Sequence, residues 1–298
     1  ATTRSIAPHD VEYIWEYGRR YCGSYYMPND ELEQTRLFLV HEVYKSAFDD
    51  EPFSAPLEDP QMILDVGAGT GEWAIDVADR HPDCEVTGID IADIFPKFVA
   101  PNLFWEIDNA ELEWLRPPDS YDLVHFRNMS GAFRDWPFVY QQAFKVCKPG
   151  GWIEILDDDD RWMPGNYFSR IPGFSESKTA KIALDWKDAH IESGYLIGVG
   201  HMEPQFLRDA GFVDVKSVTK RIPIGPKELS TGKLFLKSLL DSIEAQALRL
   251  LCKYKGYTPE DVHIAANEFR KVLKEMALDP EMSEGLNVQI KVLTGRKP

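Results

Sequence analysis

The sequence is poor in cysteine and in basic residues, and it lacks any long apolar run. Its 298 residues include only 4 cysteines, at positions 22, 84, 147 and 252, and no two of them have the spacing of a metal site or a redox pair. We therefore expect reduced thiols in a cytoplasmic or nuclear protein. The opening residues ATTRSIAPHD lack a signal-peptide pattern, and no run approaches transmembrane length, so we expect no membrane span.

The shortage of basic residues limits the partners that this chain attracts through its charge. Lys and Arg number 33 against 49 Asp and Glu, which gives a net charge of −16. Such a chain has no general basic field for nucleic acid or for an anionic membrane, so the sequence predicts no nucleic-acid partner. At 44% apolar residues, it is hydrophobic enough to form a globular protein with a substantial core.

What the sequence does contain is a glycine-rich loop after a short apolar run, MILDVGAGTG at residues 62–71. A strand, a glycine turn and a helix in this order are typical of the entrance to a nucleotide-binding α/β unit. The dinucleotide fingerprint requires a small residue where this chain has Glu72, which disfavours NAD and FAD. A G-x-G-x-G loop after the acidic Asp65 instead favours S-adenosylmethionine (SAM), because its amino and sulfonium groups are cationic.

Strand and helix patterns alternate through the middle of the chain. The pattern predicts parallel strands at 62–66, 85–89, 103–107, 121–126 and 152–156, and helices that include 72–80, 136–146, 174–193 and 203–209. This alternation predicts a doubly wound, Rossmann-like α/β sheet. Two further strands, 213–224 and 287–294, are separated by helices at 234–253 and 259–276 and are expected to pair antiparallel.

We therefore divide the chain into three parts. Residues 1–59 form an N-terminal helical cap or lid, residues 60–225 form the SAM-binding core, and residues 226–298 form a helical insertion with a C-terminal strand that completes the sheet.

In the N-terminal part, the patterning predicts helices over Val11–Tyr17 and Glu31–Phe48. The apolar stripe of the second helix consists of Leu32, Thr35, Leu39, Val43 and Ala47. Aromatic and arginine residues are dense between the two helices. Two interpretations stay open: an aromatic brace against the core, or a lid from which Tyr17 and Arg19 or Arg20 reach SAM.

Polar residues follow the predicted strands at the edge of the sheet where open α/β folds bind ligands. Asp90 lies about 20 residues after the glycine loop, where an acidic side chain receives ribose hydroxyls. Asp108 and Asn109 follow the third strand of the core and are placed to read the adenine. Arg127 follows the fourth strand at the same edge.

The chain resembles the fungal LaeA-like SAM-dependent methyltransferases, which are associated with secondary-metabolite gene clusters. The strings that carry the resemblance are YGRRY, YMPNDE, ILDVGAGTGEWAIDVADRHPDCEVTGIDI, FWEIDNAELEW, YDLVHFRNMSGAFRDW, KPGGWIEI, AGF and the terminal GRKP. The resemblance covers nearly the whole chain and implies a class I methyltransferase fold, with SAM as cofactor and S-adenosyl-L-homocysteine as product. It implies that SAM is held by Tyr17, Asp65, Gly67, Gly69, Trp73, Asp90, Ile91, Asp108, Asn109 and Arg127.

The chain departs from the family pattern in two places. Asn109 stands where the family more often has an acidic residue, and Ile224-Gly225-Pro226 continues into Lys227 without the Trp-containing segment common in the family. The second departure falls in the expected substrate region.

Methyl transfer is an in-line displacement in which positioning supplies most of the catalysis. A general base helps a hydroxyl acceptor, and we consider His125 and His201 for that role, each with a structural role as the alternative. Asp157 to Asp160 are also carboxylates suited to Mg²⁺. However, metal-dependent catechol-type methyltransferases place a ligand where this chain has Arg127, so we predict no metal site.

Three functions stay open. The first is SAM-dependent methylation of an oxygen or nitrogen atom of a small secondary metabolite. The second, implied by the resemblance, is a regulatory methyltransferase subunit with velvet-type protein partners and a protein, such as histone, as acceptor. The third is a SAM-binding fold that catalyses a different reaction, such as a pericyclic rearrangement.

Other methyltransferase classes fit poorly, because the chain has neither an Asn-Pro-Pro-Tyr motif nor the Cys/His constellation of SET-type enzymes. A cavity lined by aromatic residues from 13–26 and 162–197 would favour a small apolar acceptor. A wide acidic groove would favour a basic protein tail.

Overall fold

The computed structural model describes residues 11–159, 171, 173–224 and 230–298. Along the chain, its elements are β1 (Tyr13–Glu16), β2 (Arg19–Cys22), α1 (Glu31–Ala47), β3 (Met62–Val66), α2 (Glu72–Arg80), β4 (Glu85–Asp90), β5 (Leu103–Ile107), β6 (Tyr121–Arg127), α3 (Trp136–Val146), β7 (Cys147–Asp158), α4 (Lys178–Ser193), α5 (Pro204–Ala210), β8 (Val213–Pro223), α6 (Ser230–Tyr254), α7 (Pro259–Leu278) and β9 (Asn287–Arg296). Residues 160–170 and 225–229, which include Asp160 and the second departure from the family pattern, lie outside the described residues.

The described residues form a central sheet of seven strands in the order β5-β4-β3-β6-β7-β9-β8. The strands from β5 to β7 are parallel, and β9 pairs antiparallel with both β7 and β8. The chain moves outward from β3 to β5 and then returns to the other side of β3 as β6. A crevice therefore opens at the carboxyl ends of β3 and β6, which is the usual ligand site of such folds.

The predicted doubly wound sheet is confirmed, and several predicted elements have the observed bounds. Strands 62–66 and 103–107 and helices 72–80 and 136–146 begin and end where the pattern placed them. The reason is that the central strands are buried on both faces, as their continuous apolar runs require: Ile63, Leu64 and Val66 are all fully buried. Most other elements differ from the prediction by one to four residues at an end. The differences are largest where α4 begins at Lys178 after its capping residue Ser177, and where β7 already begins at Cys147.

The predicted helix over Val11–Tyr17 is wrong, because this segment forms a hairpin. β1 and β2 pair antiparallel, and Tyr17 and Gly18 connect them with positive φ angles of 53° and 77°. A two-residue turn with both φ angles positive matches the twist of a hairpin, and glycine at its second position makes it accessible. The Tyr-Gly step between two aromatic and β-branched segments is the signal that helical periodicity concealed.

Helix α1 is confirmed, but its predicted apolar stripe is wrong in the first two turns. Asp30 caps the helix by accepting a hydrogen bond from the Glu33 amide. Leu32 is 72% exposed, whereas Glu33 and Arg36 are buried. Two charged residues thus face the interior at the start of α1.

The N-terminal segment is fixed at both of its sides. Arg249 of α6 donates from Nη1 to the carbonyl oxygens of Gly23 and Tyr25, at 2.8 and 2.6 Å. On the other side, the Tyr13 hydroxyl exchanges hydrogen bonds with the backbone of Asp93, after β4. The hairpin and the following loop therefore cover the crevice between α6 and the sheet.

The connector before β3 is held by one fully buried carboxylate. Oε2 of Glu154, in the middle of β7, accepts hydrogen bonds from the amides of Ser54 and Ala55, both at 2.7 Å, while Oε1 has no partner within the described residues. Burial raises the pKa of Glu154 to about 7, and the two amides only partly offset this rise.

The folded state therefore keeps this proton to a higher pH than the unfolded state does. Glu154 consequently lowers the free energy of unfolding as pH rises from about 4.5 to about 7. We expect Glu154→Gln, which does not titrate, to gain up to about 3 kcal/mol over wild type between pH 4.5 and pH 8. Urea unfolding at several pH values measures this difference.

The matched control is Asp122→Asn, because Lys148 and two amides hold the pKa of Asp122 below its usual range, although burial opposes them. That variant should run parallel to wild type above pH 5. A constant gap between Glu154→Gln and wild type would contradict the role given to Glu154.

Candidate functional site

A cavity of about 540 Å³ lies at the carboxyl ends of β3, β4, β5 and β6. The strand-end loops form one wall, and α1, α6 and the loop after the N-terminal hairpin form the others. Its volume is typical of sites for small molecules and cofactors.

The glycine loop lies at the floor of this cavity. Gly67 and Gly69 line it with φ angles of 75° and 60°, and the Gly69 amide donates to Oδ2 of Asp90 at 2.9 Å. Gly71 precedes α2 with a φ of 89°, and a Cβ atom there would lie 2.4 Å from the Trp105 ring. The loop thus requires glycine for its backbone and for its contact with β5.

Asp90 lines the cavity with its carboxylate already oriented by the backbone. Oδ2 accepts from Gly69, and Oδ1 accepts from the Ala92 amide at 3.0 Å. Burial raises the pKa of Asp90, although these amides favour the charged form. Each oxygen retains a lone pair for a ribose hydroxyl. Ile91 lines the cavity beside it.

Asp108 and Asn109 lie together at the end of β5 and both line the cavity. Oδ1 of Asp108 accepts from the Asn109 amide at 2.8 Å, and Oδ1 of Asn109 accepts from the Glu111 amide at 3.0 Å. The turn therefore uses the side-chain oxygen of Asn109. The second carboxylate oxygen of Asp108 makes no hydrogen bond within the described residues, so it is the acceptor that suits an adenine amino group.

Arg127 brings a cation to the same edge of the sheet. Its Nη2 lies 3.2 Å from Nδ1 of His41, and its guanidinium lies 5.2 Å from the centre of the Tyr44 ring. Burial, followed by the nearby Arg127 charge, lowers the pKa of His41 to about 4. A neutral His41 accepts from Arg127 and donates from Nε2 to Asp76 at 3.3 Å. Within the described residues, no carboxylate forms an ion pair with Arg127, which leaves it suited to an anionic group of a ligand.

His125 is fully buried and does not line the cavity. Its Nδ1 lies 2.8 Å from Oδ1 of Asp65, and its ring stacks on Trp73 at 3.5 Å between centroids. Burial lowers the pKa of His125 despite Asp65, so the pair is a hydrogen bond to a neutral imidazole rather than an ion pair. Asp65 and Trp73 both line the cavity, and His125 positions them. Of the two roles considered for His125, these contacts favour the structural one.

His201 also lies behind the cavity wall. Its Nε2 pairs with Oδ2 of Asp157 at 3.0 Å, and its ring stacks on Trp136 at 4.0 Å. The other oxygen of Asp157 accepts from the amide of Ser130, a residue that lines the cavity. His201 therefore supports the loop after β6, and it does not line the cavity.

The structure does not bring Tyr17 or Arg20 to the cavity either. Tyr17 is 42% exposed at the tip of the hairpin. Arg20 donates from Nε and Nη2 to the side-chain and backbone oxygens of Asn29, both at 2.7 Å. Of the two interpretations of this segment, these positions favour the brace for Arg20. The loop after the hairpin reaches the cavity instead, and its residues Tyr25 and Tyr26 line it.

Several cavity residues were missed by the sequence analysis. They are Glu33, Arg36, Ser238, Ser242 and Gln246, together with the aromatic side chain of Phe235. Tyr26 and Tyr195 also line the cavity, and they belong to the aromatic ranges 13–26 and 162–197 considered in the sequence. The serines and the glutamine recur at four-residue steps on α6, which is the only signal the sequence offers for them. Together these residues extend the lining of the cavity beyond the strand-end loops.

In the part of the chain that the structure describes, no three His, Cys, Asp or Glu side chains are arranged to hold a metal ion. Asp157 is fully buried and is bound to His201 and Ser130. In the same part of the chain, no helix is both long enough and apolar enough to cross a membrane.

Comparisons with known proteins agree with this geometry. A family model described as a methyltransferase domain matches residues 40–215. The chain is 32% identical over 280 residues to methyltransferase pytC of Aspergillus terreus, covering 87% of this chain and 82% of that protein. It is 33% identical over 242 residues to the secondary metabolism regulator LAE1 of Cochliobolus heterostrophus, covering 78% and 77% of the two chains.

The fold is similar to that of a solved enzyme, phosphoethanolamine N-methyltransferase 2 of Haemonchus contortus in complex with S-adenosyl-L-methionine. The TM-score is 0.52 at 16% identity, and the match covers 89% of this chain and 57% of that one. At this identity, the likeness bears on the fold alone.

Asp90→Ala should weaken the binding of S-adenosyl-L-homocysteine by about 1–3 kcal/mol, because the ribose hydroxyls lose their acceptor. Isothermal titration calorimetry measures the affinity. The matched control is Asp93→Ala, three positions along the chain, where the side chain is exposed and outside the cavity. Equal affinities for the two variants would contradict the position given to the ribose.

His125→Asn should lower the free energy of unfolding by about 1–3 kcal/mol, because Asp65 loses its buried donor. His263→Asn is the matched control, since that histidine also pairs with a carboxylate, Glu244 at 3.3 Å, but is exposed. The control should change stability by less than about 0.5 kcal/mol. Chemical unfolding measures both, and a general base at His125 would instead appear as a changed pH–rate profile with unchanged stability.

Proposed function

Because this chain belongs to the fungal LaeA-like family of SAM-dependent methyltransferases, we propose that it methylates an oxygen or nitrogen atom of a small, largely apolar metabolite. SAM is the cofactor, and S-adenosyl-L-homocysteine is the product. The observation that carries the proposal is the aromatic lining of the cavity beyond the glycine loop.

The residues at the strand ends fit SAM. The two oxygens of Asp90 suit the ribose, Asp108 and Asn109 suit the adenine, and Arg127 suits the methionine carboxylate. Asp65 lies at the end of β3, where a carboxylate suits the cationic part of the cofactor. SAM supplies an activated methyl group on its sulfonium, and these residues bind and orient it.

The aromatic part of the cavity wall fits an acceptor with flat, apolar surfaces. Tyr25, Tyr26, Trp186, Tyr195 and Phe235 line it. Tyr25, Tyr26 and Tyr195 pack edge to face or tilted, with centroids 5.1 to 6.0 Å apart. Rings arranged in this way offer faces and edges to another ring. An enclosed aromatic wall favours a small metabolite over an extended basic peptide.

The chemistry rests on positioning. No histidine lines the cavity within the described residues, so neither His125 nor His201 is offered a proton by a bound acceptor. Holding the nucleophilic atom in line with the methyl–sulfur bond lowers the barrier without a proton transfer in the same step.

Incubation of the protein with methyl-labelled SAM and small-molecule extracts of a secondary-metabolite-producing fungus should label a low-molecular-weight product. Asp93→Ala should retain this labelling, and Asp90→Ala should lose most of it at low SAM. Label found only in protein would contradict the proposal. Turnover of a metabolite without labelling would indicate a SAM-binding enzyme that does not methylate.

A regulatory role is the second candidate, and two observations favour it. One is the 33% identity to a secondary metabolism regulator. The other is the hairpin, which presents Trp15 at 69% exposure beside the exposed Tyr17. Under this reading, a velvet-type protein partner would cover the hairpin, and the chain would act in the cytoplasm or nucleus. Trp15→Ser should then abolish copurification of a partner while leaving cofactor affinity unchanged.

A further inference from the structure

The wall of the cavity contains a buried ion pair that the proposed cofactor site does not use. Glu33 and Arg36, one turn apart on α1, are 3% and 6% exposed, and both line the cavity. Replacing such a pair by apolar residues is often neutral or stabilising, so burial of both charges is poor evidence of a purely structural role. A function in ligand recognition gives the two charges a reason to stay.

The hydrogen bonds of Arg36 leave one side of its guanidinium unused. Nε donates to both carboxylate oxygens of Glu33 at 3.0 Å, and Nη2 donates to Oε1 at 2.6 Å. Nη1 donates to no acceptor within the described residues. Burial disfavours the charge of Arg36, but Glu33 and then Asp158 more than offset this and raise the pKa of Arg36. Arg36 is therefore a permanent donor at the cavity wall.

Tyr26 provides a second donor on the wall of the same cavity. The side chain is 5% exposed, lines the cavity and forms no hydrogen bond through its hydroxyl within the described residues. The hydroxyl lies against Gly131, where a Cβ atom would approach it to 2.6 Å, so glycine leaves room for it. Burial raises the pKa of Tyr26, and the nearby charge of Arg36 only partly opposes this, so the hydroxyl keeps its proton.

We propose that Arg36 and Tyr26 together bind a carbonyl oxygen of the acceptor substrate, next to a flat conjugated ring held by the surrounding aromatic residues. This proposal rests on the proposed function and narrows its substrate class. An oxygen that accepts two hydrogen bonds satisfies both unused donors at once. A buried donor without a partner costs free energy, so a ligand that supplies this acceptor is preferred over one that does not.

The charges around Arg36 favour a neutral oxygen over an ion. Glu33 balances the guanidinium, and Asp158 acts on it as well, so a carboxylate would gain little attraction for the cost of its desolvation. An ammonium group has no lone pair to accept from an arginine. A ketone, ester or amide carbonyl gains both hydrogen bonds at a smaller desolvation cost.

The test uses four probes of nearly equal shape: 2-acetonaphthone, 2-ethylnaphthalene, 2-naphthoate and 2-naphthylmethylammonium. Each is titrated by ligand-observed NMR into protein saturated with S-adenosyl-L-homocysteine. The ketone should bind about tenfold more tightly than the hydrocarbon, which is the effect of two modest hydrogen bonds, and more tightly than either ion. Equal binding of ketone and hydrocarbon, or tighter binding of either ion, would overturn the proposal.

Variants locate the effect. Tyr26→Phe, and the double variant Glu33→Gln with Arg36→Met, should each reduce the preference for the ketone to about threefold or less. The double variant avoids an unpaired buried carboxylate. Circular dichroism and the affinity for S-adenosyl-L-homocysteine report whether it is folded. Tyr21→Phe is the matched control, because that hydroxyl is also buried without a partner but lies outside the cavity, and it should keep the full preference.

Different outcomes refute the proposed function and the role of Arg36 and Tyr26. Loss of S-adenosyl-L-homocysteine binding in wild type would refute the proposed function. Normal cofactor binding with no ketone preference, or a preference that survives both donor variants, would refute only the role of Arg36 and Tyr26.

Discussion

The hydrogen bond between His125 and Asp65 is the constraint on which the site depends. It joins β6 to β3 across directly paired positions, at a depth where His125 is fully buried and Asp65 is 3% exposed. Trp73 stacks on the same imidazole and brings the start of α2 into the assembly. Two strand ends and a helix start are thereby fixed as one unit. The glycine loop inherits its shape from that unit and from Ile89, whose carbonyl accepts from Gly67 and Ala68.

A second buried histidine makes the same kind of contacts near the cavity. His201 pairs with a buried aspartate, Asp157, and stacks on a tryptophan, Trp136. In each case, a carboxylate forms a hydrogen bond with the imidazole ring and an indole stacks on its face, so these contacts of the histidine stabilise the fold. Neither of these two histidines lines the cavity, so their contacts favour a structural role over proton transfer. The same contacts explain how loops at the mouth of the crevice hold their shape, since each is attached to such a pair.

The sheet and its helices were predictable because their signals are local. Apolar runs of strand length and capping residues such as Asp135 before α3 act within a few positions of the elements they define. The hairpin was missed because Tyr17 adopts an unfavourable positive φ angle, which is offset only by the pairing of β1 with β2. The buried start of α1 was missed because Glu33 and Arg36 satisfy each other, and pairing across one turn is invisible to a count of apolar residues. Strand-end residues such as Asp90 were found because topology alone carries them to the crevice.

The cavity is lined by charged residues as well as by aromatic ones. Carboxylates collect at the cofactor end, where Asp65 and Asp90 suit a ligand that is itself cationic. On α1, Glu33 and Arg36 form an ion pair, so the charges of these two side chains largely cancel while Arg36 can still donate a hydrogen bond into the cavity. If the proposed role of Arg36 and Tyr26 is correct, selection of the acceptor depends on ring shape and on the position of an oxygen atom.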